Sequence, residues 1–102
     1  MFMSPFPPSM DEKVLTLHPQ GKKGVRIDRA KYDAMKAAIL RVLRGKELTH
    51  DELTHAVEDS LNGKFEGSIP WYMEGTKLDL EARKAIERVP GKTYDVYRVK
   101  KG

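Results

Sequence analysis

From Ser68 onward the spacing of apolar residues changes period, and no other feature of the chain restricts its possible folds as strongly. At about 100° per residue, Trp71, Gly75, Leu78 and Ala82 fall on one side of a helix, and Ile69, Met73, Thr76 and Leu80 fall on the other. Ser68 is a suitable N-cap, and Pro70 is tolerated because first-turn amides have no intrahelical partner. The segments from Ala85 to Val89 and from Tyr94 to Val99 then alternate with period two around Pro90-Gly91-Lys92-Thr93, which predicts a hairpin. A helix with two apolar stripes needs cover on both. One stripe faces the core, and the other must meet an N-terminal arm, a second subunit or a ligand, because a small domain seldom leaves such a stripe in water.

Upstream, Val14-Leu15-Thr16-Leu17 and Val25-Arg26-Ile27 are strand-prone and flank a turn-rich stretch from His18 to Gly24, which predicts a hairpin or an extended arm. Asp28 is then a good N-cap for a first helix whose apolar positions are Tyr32, Met35, Ile39, Val42 and Leu43, ending near Gly45. Glu47-Leu48 leaves room for only a stub of strand. Thr49 and Glu52 match a capping box that opens a second helix, with Leu53, Val57 and Leu61 on its apolar face and Asn62-Gly63 at its end.

The chain has 102 residues, enough for one domain. No apolar run is long enough to span a bilayer. We expect residues 1–11, which begin Met-Phe-Met-Ser-Pro-Phe-Pro-Pro-Ser-Met, to be a disordered leader, residues 12–27 to form the arm or hairpin, and residues 28–102 to form the main domain. The absence of cysteine removes disulfide frameworks, thiolate metal sites and cysteine nucleophiles, and suits a cytoplasmic setting.

The predicted order of helix, strand stub, helix, turn, helix and hairpin resembles the winged helix-turn-helix domain. Members often carry Leu-Glu-x-x-Gly-Leu-Ile-Glu-Arg at the junction of third helix and wing. Here the matching residues are Leu80-Glu81-Ala82-Arg83-Lys84-Ala85-Ile86-Glu87-Arg88. Lys84 stands where glycine is usual, so the turn must take positive φ there or be built differently. The stretch from Glu12 to Val99 also resembles a family of short, uncharacterised bacterial proteins with a Leu-His-Pro-x-Gly-Lys opening and a Gly-Val-Arg-Ile-Asp helix entry. That second resemblance carries no activity with it.

The winged-helix resemblance implies an α+β fold of three helices with a C-terminal hairpin wing. It also implies a small DNA-binding regulator whose third helix enters the major groove while the wing touches the backbone. Placed on this chain, the contacts would come from Ser68, Tyr72 and Lys77 on the helix, with Trp71 beside them, and from Lys92, Arg98, Lys100 and Lys101 on or beyond the wing. For Trp71 the favoured reading is core packing.

Charge placement divides these candidates. The formal net charge is +4. Between Ser68 and Lys84, Lys77, Arg83 and Lys84 are balanced by Glu74, Asp79 and Glu81, so the reading helix is neutral. The wing is basic, because Arg88, Lys92, Arg98, Lys100 and Lys101 face only Glu87 and Asp95. The stretch from Lys46 to Gly67 is acidic, while the first helix and the arm contribute Arg29, Lys31, Lys36, Arg41, Arg44, Lys22, Lys23 and Arg26. Two partners remain open: duplex DNA, bound by a homodimer built on the arm and the spare stripe, or another protein docking on the wing and third helix.

Chemistry has no visible seat. His50 and His55 miss the i, i+4 spacing of paired metal ligands and read as surface histidines, and Gly21-Lys22-Lys23-Gly24 lacks the spacing of a phosphate loop. We therefore expect no catalytic residue, cofactor or metal.

Overall fold

The computed structural model describes residues 13–100; the leader, Glu12 and Lys101 lie outside the described residues. Eight elements follow one another: β1 (Lys13–Leu15), β2 (Arg26–Asp28), α1 (Arg29–Leu43), β3 (Leu48–Thr49), α2 (His50–Leu61), α3 (Ile69–Ala82), β4 (Ile86–Arg88) and β5 (Val96–Val99). This is an α+β domain of three helices and two small antiparallel sheets, one pairing β1 with β2 and the other ordered β3-β5-β4. No helix among the described residues is long and apolar enough to cross a membrane.

Local chemistry explains most boundaries. Thr49 and Glu52 form the expected capping box, each side chain accepting the other's backbone N–H, at 3.1 and 2.9 Å. Ser68 caps α3 by accepting from the Trp71 N–H at 3.4 Å. Asp28 occupies the N-cap position of α1 but makes no cap bond. Its carboxylate instead accepts from Lys13 across the arm, and that hydrogen bond holds its pKa below the usual carboxylate value. At the other end of α3 the chain turns through Lys84 at φ +64°, the positive value expected where glycine is usual.

The core fills the space between the helices and the inner face of the three-stranded sheet. Met35, Ala38, Ile39 and Leu43 of α1 meet Leu53, Val57 and Leu61 of α2, Met73 and Leu80 of α3, and Ile86 and Tyr97 of the sheet. Burying each large side chain contributes about 1.5–3 kcal/mol, and these apolar faces are the ones that helical and strand periodicity indicate.

The middle of the second stripe of α3 lies against the chain's own arm, while Trp71 at its start stays exposed. A Cβ added at Gly75 would lie 3.4 Å from Val25 and 3.5 Å from Ile27, so the absence of a side chain there lets the arm approach. The arm itself is closed by Thr16, whose hydroxyl accepts from the Val25 N–H at 2.9 Å and donates to the Val25 carbonyl at 3.1 Å. Gly24 is required beside it, since a Cβ would stand 1.8 Å from the Thr16 carbonyl oxygen. Of the three covers expected for that stripe, the arm supplies part, at Gly75.

Candidate functional site

Asp79 and Lys77, both on α3, are buried at 0% and 3% exposure, although Lys77 is one of the side chains expected on an open face. Each is a hub. Asp79 accepts the backbone N–H of Leu17 at 2.8 Å, the hydroxyl of Tyr32, and the Nε–H of Arg83, which reaches its two oxygens at 3.0 and 2.9 Å. Burial and the bond to Asp79 together push the Tyr32 hydroxyl up to about 12, while the Asp79 carboxylate raises Arg83 above its ordinary value.

Lys77 donates to the Tyr97 hydroxyl at 3.1 Å, lies 3.1 Å from His50 Nδ1 and 3.5 Å from Glu74, and sits over the Tyr97 ring. Its ammonium is therefore spent on joining α3, the first residue of α2 and β5. The structure thus places Lys77 inside the domain, whereas the winged-helix resemblance places it on an open face. His50 is partly exposed and also lies 3.7 Å from Glu74, so it belongs to this structural cluster.

On the β4-β5 hairpin, two of the expected cations are held in ion pairs. Arg98 lies opposite Glu87 in the β4-β5 register, donates to it at 2.7 Å and approaches Glu47 at 3.5 Å. The hydrogen bond from Arg98 to Glu87 is the main reason its pKa is raised. Arg88 is likewise held by Glu81 at 2.8 Å and Asp95 at 3.3 Å. These pairs engage Arg88 and Arg98, two of the five cations counted from Ala85 onward. Lys92 and Lys100 stay exposed, with no ion pair among the described residues.

The N-terminal turn of α3 carries the largest exposed apolar side chain. Trp71, expected in the core, is 51% exposed, although its neighbours Ile69 and Tyr72 in the same turn pack against the core. Its ring meets Tyr72 edge-on at 4.8 Å and 80°, and Tyr72 meets Phe65 at 5.2 Å and 73°. Lys31 of α1 closes the group, with Nζ 5.0 Å from the centre of the Tyr72 ring and 3.4 Å from its hydroxyl. Gly67, at φ +116°, is what lets Tyr72 lie so close, since a Cβ there would come within 2.8 Å of the ring. The structure thus brings Ser68 and Tyr72 together at one corner, encloses Lys77, and places Lys92, Arg98 and Lys100 apart on the wing.

Among the described residues no three His, Asp or Glu side chains converge in a way that could hold a metal ion. Fold and surface define a small α+β domain with two buried polar hubs and one exposed aromatic corner. Residues 13–96 match a family of unknown function, DUF6958, and the chain belongs to that family. The matched span takes in the arm as well as the three helices and β4, so the arm is part of the shared unit. No curated protein matches the chain.

Proposed function

We propose that this is a non-catalytic winged-helix domain that works by docking onto another protein through the corner formed by Trp71, Tyr72 and Phe65. The winged-helix part of the reading is supported by the element order from α1 to β5, the strand order β3-β5-β4 and the positive φ at Lys84. The docking part is carried by one observation: the exposed N-terminal turn of α3 presents a half-exposed tryptophan, while the one lysine of the helix interior is sealed inside. Tryptophan and tyrosine are enriched at the centres of protein interfaces, where large rigid rings give contact area at little entropic cost. Phosphate binding requires free cations, and α3 has none before Arg83.

Duplex DNA is the second reading, favoured by Lys22, Lys23 and Arg26 on the arm and Arg44 at the C-cap of α1. These are exposed and carry no ion pair among the described residues. On this reading the grip would come from arm and first helix, with Lys92 and Lys100 adding to it. The cysteine-free composition fits either role in the cytoplasm. With the arm against the middle of the stripe on which a homodimer is expected to form, the exposed start of that stripe is the part left for a partner.

A photo-reactive phenylalanine analogue placed at position 71, and in a second protein at position 44, separates these readings. Docking through the corner gives a cross-linked polypeptide from position 71 and none from position 44. Cross-links to DNA from position 44, with none to protein from position 71, would replace it with the second reading.

A further inference from the structure

We infer that the aromatic corner accepts an extended, proline-rich segment, and that its resident occupant is this chain's own first ten residues. The inference rests on the corner being a docking surface and adds what it takes. Edge-to-face rings at 80° and 73° leave ring faces standing at angles, the shape in which proline rings stack, and the indole N–H, tyrosine hydroxyl and Lys31 ammonium are donors for the free carbonyls of a polyproline II strand. Such a strand forms no internal hydrogen bonds, so its carbonyls remain available.

The segment has the matching chemistry. Met1 to Met10 holds prolines at positions 5, 7 and 8 and phenylalanines at 2 and 6, with no charged side chain in ten residues of a chain that is 33% charged. Prolines so spaced oppose helix and sheet and favour polyproline II. Its apolar side chains gain from any face that removes them from water.

Topology puts the two side by side. Lys13 is paired with Asp28, the residue immediately before α1, and Lys31, one turn into that helix, touches Tyr72. Because β1 runs antiparallel to β2, the N-terminal end of β1 at Lys13 lies toward the end of the molecule where α1 begins and the corner lies. Ten residues in polyproline II reach about 31 Å, well beyond the roughly 15 Å that a helical turn and a lysine side chain span. A tether this short sets an effective concentration in the millimolar range, enough to fill even a weak site. The corner lies inside the span that matches the family, whereas the segment precedes it. A partner using the corner must therefore displace a competitor attached to this chain.

Trp71 is the only tryptophan, so its emission reports the corner directly. The measurement compares acrylamide quenching and emission maximum in the full chain, in a chain lacking residues 1–10, and in the full chain carrying Phe6→Ala and Pro7→Ala. The inference expects the deletion to shift emission to the red and raise the quenching constant at least twofold, the double variant to do the same, and a synthetic peptide of residues 1–10 to reverse the change saturably in the truncated chain. Far-ultraviolet circular dichroism unchanged by the deletion shows that the fold is intact. Equal quenching in all three proteins overturns the inference, as does a difference that follows protein concentration together with a dimeric mass by light scattering, which would make a second copy the occupant. If equal quenching coincides with a cross-linked partner from position 71, the docking reading stands and only the resident occupant falls.

Discussion

The backbone N–H of Leu17 donates to Oδ1 of Asp79 at 2.8 Å, tying the arm to the third helix across 62 positions of sequence. That bond shares its acceptor with Tyr32 of α1 and Arg83 at the end of α3, so one buried carboxylate fixes three parts of the molecule at once. A buried charge is tolerated only when its lone pairs are filled, and here the arm supplies one of the fillers. Arm and body are thereby one folding unit.

Removing the carboxylate should free the arm. Asp79→Ala leaves the Leu17 N–H and the Tyr32 hydroxyl without their acceptor, at a cost of about 3 kcal/mol or more in urea unfolding. Asp79→Asn keeps an acceptor oxygen and should lose less. Hydrogen exchange gives the sharper reading: in the alanine variant the Leu17, Thr16 and Val25 amides should exchange faster by a larger factor than those of α2. Equal acceleration everywhere would mean that the arm is not held by this bond.

Tyr32 gives the same hub an alkaline signature. Its native pKa, about 12, lies above the ordinary 10.0, so the folded state holds the phenolic proton more tightly than the unfolded one. The resulting stabilisation is complete below the ordinary value and is lost as pH rises through the native one. Tyr32→Phe should cost about 2 kcal/mol at neutral pH, because a charged acceptor loses a donor. The gap between wild type and variant should then narrow with rising alkalinity in that window. A constant gap in unfolding free energy measured across the window would show that Tyr32 does not titrate with folding.

Lys84→Gly should stabilise the protein by about 1 kcal/mol, since an exposed residue with a side chain is held at φ +64° where glycine pays no steric penalty. In a domain of this size that gain raises Tm by about 4–8 °C. Lys84→Ala, which keeps the Cβ, should leave Tm unchanged. A fall in Tm for the glycine variant would mean that the lysine side chain makes a contribution larger than the backbone strain.

Periodicity makes the scaffold legible in the sequence: the capping box at Thr49 and Glu52, the faces of α1 and α2, and the alternation around Pro90 all follow from neighbours within a few residues. The hubs did not follow, because the partners of Asp79 and Lys77 are Leu17, Tyr32, His50 and Tyr97, brought in from distant parts of the chain. One signal for them was present. A helix with apolar stripes on opposite sides has little room for a polar face, so charged residues between the stripes are driven toward burial and need partners. Trp71 lies on the second stripe, and stripe membership sets the direction of a side chain without saying whether another element covers it. The wing's charge was legible as a count, but its cancellation by Glu87, Glu47, Glu81 and Asp95 depended on strand register and on the packing of α3 beside the sheet.

Lys77 offers the test that joins structure to function. Its stem fills space between α3 and the sheet, and its ammonium serves the Tyr97 hydroxyl and His50, both within the protein. Methionine matches the stem in length and avoids the cost of a buried charge, so Lys77→Met should change stability by about 1 kcal/mol or less. Lys77→Ala opens a cavity as well, and should cost about 2–4 kcal/mol. A titration with duplex DNA across a salt series then separates a structural lysine from a phosphate contact. A phosphate-binding lysine lowers the slope of log affinity against log salt by about one when removed. Lys77→Met should leave that slope where it is, and any slope the protein has should fall instead in Lys22→Ala and Lys23→Ala, whose side chains are exposed on the arm. A reduced slope in Lys77→Met, with stability preserved, would place α3 against DNA after all and require the lysine to leave its enclosure on binding.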